Sequence, residues 1–520
     1  MKMDSLTFLQ QWWQEPGKTY LFNPFSFCFV ILLSFLLLFK PKRNNYKLNL
    51  PPSPPKLPII GNLYQINAFP FKSFTSLSEK YGPLMFLRLG QVPTLVVSSL
   101  ELVKEITKNH DIIFADRPTL TGVGIVLNGS PDMALGPYSD YSRDAKKLCV
   151  LQLLSQNRVQ QFHFIREEEV AKIVEEIRLS TVNIGAPINL SDMFTSLAHN
   201  ILSRSAFGSL YENQNGNYKS FGELARKTTN LLSTFFFKDL FPYLGWIDHL
   251  TGSIRNLKMV TEELNEFFDG VIKEREALMN DNEKAIDKKY LVDILLYLRN
   301  EGLKLDLSKD NLKAILLDMF LGGSDTTAAI MEWMMAELVK NPRIMKKAQE
   351  EIRRVVGKTK SKITESDINQ MEYLKCVMKE TVRFHGSAAI LRQTSANVKL
   401  KGYDIPAKTR VIINTWAIHM DPTLWDRPEE FLPERFLNSS DDSKEEHKKL
   451  LFSFGTGRRV CPGMAYAYAE IEYAIANLLY WFDWKLPNGA RGEDLDMSEI
   501  CTFAIRKKTP LWVVAHSYSP

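Results

Sequence analysis

The stretch FSFGTGRRVCPGMAYAYAE, Phe452 to Glu470, carries one cysteine in an unusual setting. Gly455 and Gly457, and then Arg458 and Arg459, precede Cys461. Pro462 and Gly463 follow directly, and then a run with helical periodicity. A thiolate needs electropositive surroundings, and a helix start supplies them through unpaired N–H groups and the helix dipole. Pro462 suits a first helical turn, because its missing N–H would have had no partner there. The glycines let the backbone approach a flat, bulky ligand, and Arg459 is placed to pair with an anionic edge of it. The spacing predicts a loop that holds a metal-bound thiolate beneath a large planar cofactor. A structural loop with an incidental cysteine is the alternative reading of the spacing alone.

Upstream, LDMFLGGSDTTAAIMEW (Leu317 to Trp333) lies in a helical run beginning near Ser308, with Leu312, Ile315, Leu316, Met319 and Phe320 on one face. Gly322 and Gly323 interrupt it, each at a cost of roughly 1 kcal/mol against alanine. Asp325, Thr326 and Thr327 follow, and hydroxyls there turn back onto helix carbonyls and loosen the turn. The stretch reads either as a kinked core helix or as a groove for water and small oxygen species. Glu380 and Arg383 in KETVRFHG are neighbours on one helix face; alone, such a pair is most simply an exposed ion pair.

Phe454, Gly455, Gly457, Arg459, Cys461 and Gly463 match every fixed position of F-G-x-G-x-R-x-C-x-G, the haem-binding signature of cytochromes P-450. On these residues the chain resembles the haem-thiolate monooxygenases. The resemblance implies haem b as cofactor, Cys461 as the axial iron ligand, and Arg459 on a haem propionate. A thiolate ligand pushes electron density onto iron and favours O–O cleavage. Residues 322–327 resemble the family's A/G-G-x-D/E-T-T motif, which makes Asp325 and Thr326 the proton-delivery pair. PERF, Pro433 to Phe436, completes a likeness to the E-x-x-R plus P-E-R-F pair, so that Glu380, Arg383 and Arg435 form a buried ionic triad with a scaffold role.

Two departures stand out. YSDYSRDAKKLC (Tyr138 to Cys149) aligns where the family has W-x-x-x-R on a propionate, but carries Ser142 and Lys146. Lysine keeps the charge and loses the fork geometry. After Arg383, where plant members read H-P-P-x-P and then P-R-E, this chain reads His385 to Arg392 without the prolines and with one residue fewer. Arg392 still matches the propionate-binding arginine.

The layout resembles the plant A-type microsomal group, with a mainly α fold and a minor β-sheet region. The implied partners are O₂, a separate flavoprotein reductase supplying electrons from NADPH, and a small hydrophobic substrate. Lys146, Lys147, Arg458 and Arg459 are candidates for the reductase face; solubilising charge is an equal reading of Lys147 and Arg458. By the resemblance, Thr119–Val126, Phe235–Phe241, Phe320–Gly323, Ser387–Ile390 and Cys501–Ala504 line the pocket. Their apolar and aromatic character suits a plant specialised metabolite, an alkaloid or terpenoid. Oxidation ending in cyclisation, coupling or desaturation without oxygen insertion is an alternative. So is a haem sensor, which would not need Asp325 and Thr326.

The 520 residues are 45% hydrophobic and 24% charged, as expected of a folded chain with a large core. A net charge of +5 is too small and dispersed to argue for nucleic acid. Cys28, Cys149, Cys376, Cys461 and Cys501 are far apart with no CxxC pair, which fits a reduced compartment and no zinc ribbon. Cys149, Cys376 and Cys501 read as buried packing cysteines.

Tyr20–Phe39 is long and apolar enough for one membrane crossing, and Lys40, Lys42, Arg43 and Lys47 follow it. The positive-inside rule then keeps the remainder in the cytosol, which with the resemblance predicts a single-pass endoplasmic reticulum protein; a cleaved signal peptide is the rival. Five prolines make Leu50–Asn62 a stiff extended strut. The expected division is an anchor at 1–39, a basic and proline-rich hinge at 40–60, and a haem-binding catalytic domain at 61–520. Strand-like pieces occur at Leu84–Leu89 with Thr94–Val97 and at Val398–Leu400 with Arg410–Asn414. Asn280–Lys289, Lys358–Lys362 and Asn438–Lys449 read as solvated loops.

Overall fold

Local chemistry sets the helix that runs through the centre of the molecule. In the computed structural model, Ser308 caps it by accepting from the Asn311 N–H at 3.4 Å. The structure describes residues 48–152, 154–181, 185–208, 221–281, 290–302, 305–358, 360, 362–437, 451–502 and 504–518. The expected membrane span, Cys28 and the loops at 282–289 and 438–449 lie outside them.

Six helices position the site: α1 (Asp140–Gln152), α2 (Leu190–Phe207), α3 (Lys309–Gly323), α4 (Asp325–Lys340), α5 (Glu372–His385) and α6 (Met464–Trp481). Lys309–Lys340 is apolar and long enough to cross a membrane, but 72% of its most apolar window is buried inside the protein. It is a core element, packed against α2 and α6. Leu312, Ile315, Leu316 and Phe320 are buried as the periodicity predicts. Trp333 is fully buried and satisfies its indole by donating to the Ile505 carbonyl at 2.9 Å.

A four-stranded sheet lies to one side, in the order β1 (Leu84–Leu89), β2 (Val92–Val97), β4 (Arg410–Ile413), β3 (Ile390–Gln393). β2 and β4 are parallel, with Thr94 opposite Arg410. β3 is antiparallel to β4 and sets Arg392 opposite Val411. The two-residue period of β3 buries Ile390 and Arg392 on one face. Val398–Leu400 does not join this sheet beside Arg410–Asn414. Lys401 and Gly402 both take positive φ, +49° and +84°, the geometry of a two-residue hairpin. The strand therefore folds straight back onto Tyr403–Ile405.

Other expectations are adjusted by packing. The chain divides into Met1–Asn49 and Leu50–Pro520, so the proline run belongs to the larger unit. Asn62 ties it down, donating to the Pro54 and Pro55 carbonyls and accepting from the Arg88 N–H at 2.8 Å. Cys149 and Cys376 are buried, but Cys501 is exposed. It sits at the end of β5 (Glu499–Cys501), which forms a two-stranded sheet with β6 (Ile505–Lys507).

Candidate active site

The Cys461 loop is built on backbone that only glycine tolerates. Gly455 and Gly457 have φ of +79° and +61°, and a Cβ at Gly457 would lie 2.3 Å from an Asp111 carboxylate oxygen. The Cys461 N–H donates to the Phe454 carbonyl at 2.7 Å, which closes the loop. The Phe454 ring stands edge-on to Tyr468 at 5.3 Å. α6 begins at Met464 with Gly463 as its N-cap, so Pro462 stands just outside the helix and not in its first turn. Burial pushes the Cys461 thiol up; the N–H groups of Gly463 and Met464, together with Lys146, oppose that by favouring the thiolate.

Four cations gather around this loop. Lys146 on α1 donates to the carbonyls of Arg458 at 2.9 Å and Val460 at 2.5 Å. Burial brings its pKa down to about 8; the Cys461 charge opposes that shift, and the nearby arginines add to it. Arg392 is fully buried, donates to the Thr456 carbonyl, and has Asp111 at 3.6 Å. Arg459 donates to the carbonyls of Ala115 at 2.8 Å, Met133 at 3.0 Å and Gly136 at 2.8 Å, which leaves two of its five N–H groups.

The fourth, Arg117, is a residue the sequence reading missed. It donates to the Leu391 carbonyl at 2.7 Å. Burial, then Arg459 and Arg392, bring its pKa down to about 10. Arg392 is brought to about 10 by burial, opposed by Asp111. Among the described residues, the buried Nε atoms of Arg117 and Arg392 have no hydrogen-bond partner. Buried donors of one sign beside a thiol fit a planar metal group with a carboxylate edge. Ser142 fills no part of this cluster: it is buried at the start of α1, where its hydroxyl accepts from the Ser139 N–H at 2.8 Å.

On the central helix, α3 ends and α4 begins around Ser324. Three hydroxyls turn back onto carbonyls four residues earlier: Ser324 onto Phe320 at 2.8 Å, Thr326 onto Gly322 at 2.6 Å and Thr327 onto Gly323 at 2.9 Å. A Cβ at Gly322 would meet nothing within 4 Å, so Thr326 and Gly322 border open space. Phe320, expected in the pocket, is instead core, stacked on Phe207 at 5.0 Å. Asp325 is buried and paired with Arg506 of β6 at 2.9 Å. Arg506, with Ser191, Thr195, Arg226 and Glu332, lines a cleft of about 170 Å³.

The structure brings Glu380, Arg383 and Arg435 together. Arg383 meets both Glu380 oxygens, at 2.8 and 2.9 Å, and Arg435 approaches to 3.1 Å. Gly386, where the loop departs from the family pattern, passes Val382 so closely that a Cβ would lie 2.2 Å from its carbonyl oxygen. Thr121 and Asp239, from two of the expected pocket segments, are hydrogen-bonded at 2.6 Å.

The family model for cytochrome P450 matches residues 51–514. Phenylacetaldehyde oxime monooxygenase of Prunus mume is 45% identical over the whole of both chains. Desmethylyatein synthase of Sinopodophyllum hexandrum is 43% identical over 94% of this chain and 98% of its own. Strychnine-11-hydroxylase of Strychnos nux-vomica is 42% identical over 94% and 95%. With the helical fold and the glycine-built cysteine loop already in place, this match assigns the chain to the cytochrome P450 family, as a plant A-type monooxygenase that uses haem b and takes NADPH electrons through a reductase.

Proposed function

We propose that the chain inserts one oxygen atom from O₂ into a hydrophobic, ring-bearing specialised metabolite of the alkaloid or terpenoid kind, with Cys461 as the axial thiolate. The observation that carries this reading is the unmet hydrogen-bonding capacity of Arg117 and Arg392 beside that thiol. In this reading Arg117, Arg392 and Lys146 hold the propionates, while Arg459 stiffens the loop and offers its two remaining N–H groups. Phe454, Gly455 and Gly463 shape the backbone under the macrocycle.

Haem, when bound, supplies dioxygen activation, and the thiolate supplies electron density that favours O–O cleavage. The chain's own part is to move protons without admitting bulk water. Thr326 borders the open space at Gly322 and hands on a proton by rotating off the Gly322 carbonyl. Asp325, held in place by Arg506 beside the cleft, recharges that relay from solvent. Tyr20–Phe39 anchors the protein in the endoplasmic reticulum with residues 50–520 in the cytosol, where the reductase docks near Lys146 and Arg458. The names of the relatives, which act on an aromatic oxime and on strychnine, support a ring-bearing substrate.

Microsomes containing the protein, a reductase and NADPH are screened by mass spectrometry against an extract of the source tissue; a product with one added oxygen is expected. The reduced carbon-monoxide complex should show the thiolate-haem absorption band, and Cys461→Ala should abolish it. A retained band overturns the assignment of Cys461. In Thr326→Ala, product per NADPH should fall about tenfold while peroxide rises. Unchanged coupling would remove Thr326 from the proton path.

A further inference from the structure

Above the arginine cluster two buried carboxyls meet. Asp132 and Asp318 are 2% and 4% exposed. Asp132 ties off a tight turn: it accepts from the N–H groups of Leu135 at 2.6 Å, Gly136 at 2.6 Å and Ala134 at 3.3 Å. Gly136 is required there, because a Cβ would lie 2.2 Å from an Asp132 carboxylate oxygen. Asp318, on α3, accepts from the Met133 N–H at 2.9 Å with one oxygen. Among the described residues its other oxygen accepts from no donor, and the carboxyl it faces is that of Asp132. The same turn offers the carbonyls of Met133 and Gly136 to Arg459.

We propose that Asp132 and Asp318 share one proton, carried on Asp318, and that this shared proton locks the 132–136 turn so that it positions Arg459 at the anionic edge of the haem. The inference rests on the haem reading of the Cys461 loop. Two desolvated carboxylates in contact cannot both ionise. Among the described residues no cation lies within 4.0 Å of either carboxyl. The charged and titratable groups facing the pair are Arg117, which donates to the Leu391 carbonyl, Arg459, which donates to three backbone carbonyls, and the neutral side chains of Tyr141 and Cys149. Burial, then Asp132, hold the Asp318 carboxyl well above the usual carboxylate range. Asp132 and Asp318 are therefore positioning residues: their shared proton connects the central helix to the arginine of the Cys461 loop.

The sign follows directly. A raised folded pKa gives a contribution that is complete below the ordinary carboxyl range of about 4 and shrinks by about tenfold in the folding constant per pH unit above it, until the folded pKa is passed. Three measurements test the inference. In D₂O at neutral pH, the infrared spectrum of the wild-type holoenzyme should contain a protonated-carboxyl band that moves when aspartate is isotope-labelled and disappears in Asp318→Asn. Asp318→Asn, whose amide donates to Asp132 at every pH, should gain thermal stability relative to wild type as pH rises. Asp132→Ala, which frees the turn, should transfer haem to apomyoglobin about tenfold faster while the fraction still loaded keeps its thiolate band. The absence of a labelled aspartic-acid band in wild type overturns the shared proton, even if the variants fail to fold. Unchanged haem transfer in Asp132→Ala overturns the positioning role. A protein with the aspartic-acid band but no thiolate-haem band would refute the haem reading and leave the shared proton standing.

Discussion

Two of the places where the protein buries arginines treat them differently. Around Glu380, every charge is answered. Arg383 meets both Glu380 oxygens and donates to the His419 and Glu430 carbonyls. Arg435 adds a third contact to the carboxylate and reaches the Asp426 carbonyl at 2.6 Å. The Leu432 N–H donates to the same carboxylate at 2.9 Å. Around Cys461, Arg117 and Arg392 each keep an Nε without a partner among the described residues, and both are pushed below the ordinary arginine range by burial. A closed network of this kind fixes geometry. An open one, held together by the rest of the fold, carries an unmet demand for anions. The first network closes on itself; the second leaves donors free for an anion.

The largest test of this contrast removes the Glu380 carboxylate at the centre of the closed network. Glu380→Ala strands two guanidinium groups and should cost about 3–5 kcal/mol in denaturant-induced unfolding. A loss below about 1 kcal/mol would show the triad to be ornamental.

Arg117→Met sharpens the contrast from the other side. It should leave the haem-free protein as stable as wild type, or roughly 1 kcal/mol more stable, while haem dissociation accelerates about tenfold. Destabilised haem-free protein together with unchanged haem retention would place Arg117 in the scaffold class.

The smallest effect concerns pH. Lys146 has a folded pKa near 8, against about 10.4 in an unfolded chain. Its burial therefore costs stability fully below about 8, and the cost is relieved as pH rises toward about 10.4. Haem-free wild type should gain stability over that window relative to Lys146→Met, and the holoenzyme should not, because a propionate restores the charge. Equal slopes in both forms would remove Lys146 from the anion site.

What could be read in the chain was mostly what lies close together in it. The thiolate loop is ten residues of contiguous backbone, Phe454 to Gly463, and its glycines, its arginine and its helix start act through neighbours. The helix from Ser308 and its weakened turn at Gly322–Thr327 are likewise local, set by a cap, a periodicity and side chains that reach four residues back. The ionic triad was legible because two of its members share one helix face.

Only the tertiary structure decided which charges face one another. Arg117, Arg392 and Arg459 come from separate segments, and nothing beside Arg117 in the sequence marks it as a neighbour of the arginines that hold the Phe454–Gly463 loop. Arg506 finds Asp325 because β6 packs on α4. Phe320 turns to the core because Phe207 fills the space on that side of the helix. Arg410–Ile413 leaves its sequence neighbour Val398–Leu400 because the Lys401–Gly402 turn already pairs that strand. Local propensities fix a backbone turn within a few residues; the burial of a charge, and whether it is answered, depends on segments that meet only when the chain packs.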